Sequence, residues 1–335
     1  MASPLAFTVD WGDLVTTTLE NRSPELADNI TNNNALLTFI KKNGNGKRTF
    51  SGGREIMQEL RYAQNQSFIW YSGYEPLNIS LNDTMTAARF AIKQAAISVV
   101  ISGLEQIQNS GDEAMKDLIK ERVRTAEDTF WNSMSAAIYS DGTAFGGKQI
   151  GGLSLLVSKS PTSGVVGGID RSAQLWWQNF AVSSALDPRG AVTASNIQSY
   201  MNSTTISLKR NTDGVDLIVA DNNFYLAYLN TLQTIQRISS EGEATGVGAG
   251  FTSLKYYGAG KSVDVILDGG KNGQIPPNTM YFINTDYLYY RPSSERNFKV
   301  IGGDRANVNQ DAIVRLYAWA GNMTISNSSL QGVLF

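Results

Sequence analysis

The sequence predicts an α+β protein of two or three lobes arranged around one long helix. Three observations predict it. Residues 110–139 carry an unbroken helical pattern, and residues 47–89 form a long excursion rich in aromatic side chains. Residues 170–290 alternate helix and strand signals, and the tail after them reads as strand alone.

In the first stretch Met115, Leu118, Ile119, Val123, Ala126, Phe130, Met134, Ala137 and Ile138 recur at helical spacing. Lys116, Asp117, Lys120, Glu121, Arg124 and Asp128 fill the gaps, which makes the helix amphipathic. Ser110 with Glu113 forms a capping box, Gly111-Asp112 puts negative charge at the positive end of the dipole, and Asp141-Gly142 marks the stop. At ~1.5 Å per residue the helix runs about 40 Å, most of the width of a domain.

Residues 1–46 read as a largely extended arm, with short helical pieces around Leu14 to Leu19 and Ala35 to Lys41. Trp11, Leu36, Leu37, Phe39 and Ile40 are too apolar to remain in water, so this subunit or a neighbour must cover them. From Lys47 to Arg89 the alternation at Ile56, Gln58, Leu60 and Tyr62, then Phe68-Ile69-Trp70-Tyr71, then Leu77, Ile79 and Leu81, predicts a long hairpin. About sixteen residues per side at ~3.3 Å each would project about 50 Å, further than one domain's core can cover. Tyr62, Phe68, Trp70, Tyr71 and Tyr74 concentrate there the residue type that dominates interface energetics. The simpler alternative is a hairpin packed on its own domain.

Phe90 to Ser102 is β-branched in its second half and reads as a strand, with a helix over Met85 to Ala96 as the alternative. The glycines between 146 and 168 predict turns and close backbone approach, with Leu153 to Val157 as a short buried strand. A helix follows from Thr193 to about Ser207, a strand from Val215 to Ala220, and a helix from Asn222 to Ile238 capped by Asp221. Glu241 to Gly250 reads as a glycine-rich loop, and Val263 to Leu267 and Met280 to Asn284 as strands. The tail gives Phe298 to Ile301, Ile313 to Trp319 and Met323 to Ser326 as strands that pair upstream.

The 335 residues, 42% hydrophobic and 17% charged, suffice for a sizeable core. A net charge of −2 offers no basic excess for a phosphate backbone, so nucleic acid is not expected as a primary ligand. With no Cys and no His, the chain lacks a thiolate nucleophile, disulfides, the usual neutral-pH base and the commonest transition-metal ligand. No basic segment followed by an apolar run opens the sequence, and Ala95 to Ile101 is far too short for a membrane span. A soluble protein made in a cytoplasm is expected.

Catalytic and ligand motifs fail on spacing. Gly258-Ala-Gly260-Lys261-Ser262 resembles the end of a phosphate loop, but Lys255 stands where its first glycine belongs. Gly246-Val-Gly248-Ala-Gly250 meets Phe251 in place of the third dinucleotide glycine, and Asp213-Gly214-Val215-Asp216 lacks the calcium-loop pattern. No carboxylate pair and no Ser-Lys arrangement stands out, so no catalytic residue, cofactor or metal is expected.

Phe90-Ala-Ile-Lys93-Gln94, Val100-Ile-Ser-Gly103-Leu-Glu105, the long helix, Tyr139-Ser-Asp141-Gly142-Thr143, Gln149-Ile-Gly151-Gly152-Leu153 and Val166-Gly167-Gly168-Ile-Asp170-Arg171 follow one another in this order. With the tail Leu316-Tyr-Ala-Trp319-Ala-Gly321-Asn322-Met-Thr324-Ile-Ser-Asn327 and Gln331-Gly332-Val333, the chain resembles the major capsid proteins of tailed bacteriophages over about residues 40 to 335. The resemblance implies a Hong Kong 97-like capsid fold. Residues 1–46 would be its N-terminal arm, 47–89 its extended loop, 90–152 and 292–335 its peripheral domain with spine helix 110–139, and 153–291 its axial domain. It also implies assembly as hexamers and pentamers into an icosahedral head shell around double-stranded DNA, without sequence-specific binding. The expected partners are the chain itself, a scaffolding protein, the portal, and decoration or minor capsid proteins, with no membrane. The location would be the virion head, after assembly in the host bacterial cytoplasm.

The interface residues expected on this reading are Trp11, Leu36, Phe39 and Ile40 in the arm, Arg54, Arg61, Tyr62, Phe68, Trp70 and Tyr71 in the loop, and Arg171, Trp176 and Trp177 after the glycine-rich segment. The alternative for each is burial within its own chain. Some relatives cross-link through a lysine in the extended loop. No lysine lies between Ser51 and Asn82, so non-covalent stabilisation is expected here. The rivals are an encapsulin-like cellular compartment of the same fold and a carboxylate-dependent hydrolase.

Overall fold

The computed structural model describes residues 35–42, 47–79, 82–108, 112–235, 254–258, 260–270, 273–301, 305–307 and 310–335. In chain order they form α1 (Ala35–Lys42), β1 (Glu55–Arg61), β2 (Met85–Ala91), β3 (Lys93–Ser102), α2 (Gly103–Gln108) and α3 (Asp112–Ile138). Next come α4 (Leu153–Leu156), β4 (Val165–Val166), β5 (Ile169–Asp170), β6 (Phe180–Val182), α5 (Ile197–Ser207), β7 (Leu217–Ala220) and α6 (Asn222–Ile235). Last are β8 (Leu254–Gly258), β9 (Lys261–Leu267), β10 (Met280–Ile283), β11 (Leu288–Val300), β12 (Arg305–Asn307), β13 (Gln310–Ile325) and β14 (Gly332–Leu334). Two compact units result, the larger from described residues within 32–96, 132–299 and 318–335, the smaller from those within 97–131 and 300–317. The division falls inside β3, α3, β11 and β13.

The larger unit is built on a six-stranded mixed sheet in the order β6-β14-β10-β7-β9-β8. β7 and β10, at its centre, are buried at every position, which is why Leu-Ile-Val-Ala and Met-Tyr-Phe-Ile are continuous apolar runs and do not alternate. Tyr200 and Met201 of α5 and Phe224 and Tyr228 of α6 complete the core with Val263, Val265, Phe282 and Leu334. Asp221 caps α6 as expected, accepting the Phe224 amide at 3.0 Å, and its second oxygen accepts the Asn278 amide at 2.7 Å. The expected loop at 241–250 and the helical piece at Leu14 to Leu19 lie outside the described residues.

The tail from about Pro292 is expected to return to the peripheral domain's sheet; its last strand, Gly332–Leu334, pairs antiparallel with β10 and parallel with β6, inside the six-stranded sheet. The tail also contains one sixteen-residue strand, β13, where two strands were expected. Gly321 carries the strand across the supposed break, because the Arg291 carbonyl oxygen lies 2.5 Å from where a side chain would begin.

α3 runs from Asp112 to Ile138, one to two residues inside the predicted bounds. Its expected cap at Ser110 falls outside the described residues. A reciprocal capping box instead opens α2, one helix earlier: the Ser102 amide donates to Glu105 at 3.0 Å and the Glu105 amide to Ser102 Oγ at 3.3 Å. In the smaller unit this Glu105 is buried and paired with Arg122, which also donates to the Val100 carbonyl.

Leu153–Leu156 is a helical turn, not the strand expected. Gly152 packs on the end of α3, where a Cβ would sit 2.2 Å from the Ile138 carbonyl oxygen and 2.5 Å from that of Ala137. The chain then closes on itself, with the Leu156 amide donating to Gly152 and the Val157 amide to Leu153. The helical alternative at Met85 to Ala96 is also set aside, since the segment is strand, divided into β2 and β3 at Ile92.

Candidate functional site: an assembly surface

The paired part of the excursion is shorter than expected. β1 and β2 form a seven-residue antiparallel ladder from Glu55↔Ala91 to Arg61↔Met85, and residues 62–79 and 82–84 between them carry no strand. At ~3.4 Å per residue the ladder spans about 24 Å, half the predicted reach. The reason is local: Phe68-Ile69-Trp70-Tyr71 is consecutive, so it cannot place its side chains on one face, and Gly73 with φ of +59° turns the chain directly after it.

The ladder has two different faces. Ile56, Leu60, Ala88 and Phe90 point inward and are buried. Glu55, Met57, Glu59, Arg61, Met85 and Arg89 point outward and are exposed. The inward face rests on the turn between β4 and β5, where the Arg89 amide donates to the Gly167 carbonyl at 2.8 Å. Gly167 is required there: its φ is +61°, and a Cβ would lie 2.8 Å from Ala88 Cβ and 3.1 Å from the Phe90 ring. Beyond the ladder Tyr62 stacks on Trp176 with centroids 5.5 Å apart and planes 25° apart. Burial and the neighbouring Asp83 carboxylate both raise the Tyr62 phenol pKa, so it stays neutral and stacked at physiological pH.

Past this clamp the loop carries its apolar side chains into solvent. Trp70 is 87% and Ile79 93% exposed, Tyr74 is fully exposed, and Phe68, Ile69, Tyr71 and Leu77 are exposed as well. Seven large apolar side chains within twelve residues exceed what scattered surface hydrophobics explain. The loop is not shapeless. Asn65 accepts the Ser67 amide at 2.9 Å and the Asn82 side-chain amide at 2.8 Å, which closes its neck. Phe68 and Trp70 meet edge to face at 5.4 Å, and the Ser72 amide donates to Glu75 at 3.2 Å.

Of the interface residues expected from sequence, Phe68, Trp70 and Tyr71 are exposed on this surface, with Arg61 exposed on the ladder and Arg54 exposed directly before it. Tyr62 and Trp176 are half-buried against each other. Five others are buried within the single chain. Leu36, Phe39 and Ile40 are buried within their own chain, on the face of α1 that meets β9. Trp177 is buried and donates its indole N–H to the Val166 carbonyl at 3.0 Å. Arg171 is 1% exposed and anchors the C-terminal end of α4, donating to the carbonyls of Leu155 at 3.1 Å and Leu156 at 2.5 Å. Burial lowers its pKa to about 10, which leaves it cationic at neutral pH. Trp11 lies outside the described residues. The interface set read from sequence omits Ile69, Tyr74, Leu77 and Ile79; the strand reading accounts for the last two, and the Gly73 and Pro76 flanking Tyr74-Glu75 are the available signal against that strand.

No family model matches the sequence, and no curated protein matches it. Solved structures do. The capsid asymmetric unit of cyanophage A-1(L) superposes with a TM-score of 0.64 at 14% identity, over 96% of this chain and 98% of that one. A Mycobacterium phage Bobi structure gives a TM-score of 0.56 at 11% identity, over 97% and 98% of the two chains. The holo-SrpI encapsulin complex of Synechococcus elongatus gives 0.54 at 11% identity, over 96% and 94%. The chain therefore has the Hong Kong 97-like capsid fold along essentially its whole length.

Proposed function

We propose that this chain is a major capsid protein that assembles as hexamers and pentamers into the icosahedral head shell of a tailed bacteriophage, enclosing double-stranded DNA. The observation that carries the reading is the exposed apolar loop of residues 68–79, held out by a clamped base on a fold whose solved examples include phage capsids. A side chain such as Trp70 gains little by remaining in water and much by being covered, and a repeated neighbour is the partner a shell provides. The net charge of −2 suits a wall that confines DNA by closure and does not grip phosphates. A scaffolding protein, a portal and decoration proteins would complete the head.

An encapsulin-like compartment is the second reading, since one solved neighbour is an encapsulin, with a TM-score of 0.54 against 0.64 for the cyanophage capsid. The two differ in contents. Particles containing this chain should carry nuclease-protected double-stranded DNA. Particles with a protein cargo and no protected DNA would transfer the chain to the compartment class.

A further inference from the structure

Resting on the shell reading, we propose that Tyr74 and Glu75 at the loop tip seat in a depression beside Lys159 on a second copy of this chain, the ring against its apolar wall and the carboxylate on the lysine amine.

The depression, of about 480 Å³, is lined by Lys159, Pro161, Val182, Leu186, Pro188 and Phe335 among others. Its wall is apolar and partly bare, with Leu186 88% exposed. Lys159 stands exposed at its side. The Nζ donates to Thr279 Oγ1 at 2.9 Å and lies 5.2 Å from the Phe335 ring centroid, and among the described residues it makes no ion pair. Burial lowers its pKa, with Asp221 opposing from a distance, so an arriving carboxylate restores stabilisation that the amine lost on leaving water. The other carboxylate at the rim, Asp187, is already engaged by Arg189 in a two-pronged pair with both contacts at 2.8 Å.

The loop carries the matching chemistry. From Tyr62 to Ala88 there is no Lys or Arg, and Glu75 is the one acid within the apolar tip. Tyr74, directly before it, is fully exposed. An adjacent ring and carboxylate thus match a depression with an apolar wall and an amine that makes no ion pair among the described residues. A second depression of about 420 Å³ also has lysines, Lys209 and Lys261, but Thr205, Asn211, Thr212 and glycines form much of its lining, so it offers a ring less apolar surface. Because each copy would present both the tip and the socket, the contact is head to tail, and such contacts close into rings when the rotation between copies permits.

Carbodiimide cross-linking of assembled particles tests this, since the reagent joins an ion-paired carboxylate and amine directly. It activates the Glu75 carboxylate, the Lys159 amine displaces the resulting urea, and an amide forms with the reagent taking up the water. In particles made from mixed light and heavy isotope-labelled chains, mass spectrometry should find the 75–159 linked peptide in mixed-label form. Glu75→Lys, a change on an exposed loop that leaves the fold alone, should weaken association by about tenfold per contact, and Lys159→Glu added to it should restore assembly. Particles that form at the parental yield with Glu75→Lys, or that lack the 75–159 peptide, would overturn the socket and leave the shell reading standing. A parent chain that never assembles would overturn both.

Discussion

Replacing Trp70 with alanine tests the proposed role of the loop between subunits separately from its part in the fold of one. Trp70 is 87% exposed and touches Phe68 edge to face, so the isolated chain has little to lose. Its unfolding free energy should fall by less than about 1 kcal/mol, the scale of a surface change plus one ring contact. Covered by a neighbour, the same side chain would remove roughly 200 Å² from water, worth at most about 5 kcal/mol at ~25 cal/mol per Å². Alanine retains part of that, which leaves about 3 kcal/mol per contact, or roughly 150-fold in association. Sedimentation velocity over a concentration series reads the assembled fraction, and urea unfolding of the dissociated subunit reads the fold. The expected pattern is an unchanged urea midpoint with an assembly threshold raised by two orders of magnitude. Normal assembly by Trp70→Ala, or a subunit strongly destabilised by it, would refute this division of roles.

Other consequences concern the scaffold that holds the loop. Gly152→Ala drives a methyl into the carbonyls that end α3 and should cost about 3 kcal/mol or more, read as a lowered urea midpoint; near-neutral behaviour would mean that this approach is not fixed. Arg171→Ala orphans the carbonyls of Leu155 and Leu156 and should cost about 3 kcal/mol, with Arg171→Lys recovering only part because an ammonium cannot fork to both. Asp187, held to about 2 mainly by hydrogen bonds from Arg189, has a folded pKa below its unfolded value. Its stabilisation is therefore present above pH ~4 and lost as pH falls through about 2, and Asp187→Asn should remove that acid-side loss; an NMR titration with an ordinary carboxylate midpoint would contradict it. Asp216 shifts the other way. Burial raises its pKa despite the bonds from Thr285, so its contribution is complete below pH ~4 and declines as pH rises through the folded value, a slope that Asp216→Asn should abolish.

The parts of the fold that were legible in the sequence are those set by local pattern. α3 and α6 announce themselves by period and caps, and β7 and β10 by short apolar runs. The errors arise where partners distant in sequence decide the conformation. Leu153–Leu156 has strand composition, yet Gly152 against α3 and the guanidinium of Arg171 make it a turn of helix. β14 joins β10 across about fifty residues, and nothing in Gly332-Val333-Leu334 reports which sheet it enters. The site divides in the same way. The loop aromatics were visible because four consecutive large apolar residues cannot all be buried by a hairpin. Arg171 and Trp177 resembled surface anchors only because arginine and tryptophan are the residues interfaces favour. Each is spent inside the chain, donating to backbone carbonyls.

The most direct measurement is to purify the chain expressed with and without the products of its neighbouring genes, and to examine both preparations by sedimentation velocity and negative-stain electron microscopy. The account predicts closed particles of uniform diameter, or rings of five and six subunits, in at least one of them, with Trp70→Ala displacing the population toward free subunits. A single monomeric species in both, unchanged by Trp70→Ala at every concentration, would contradict it.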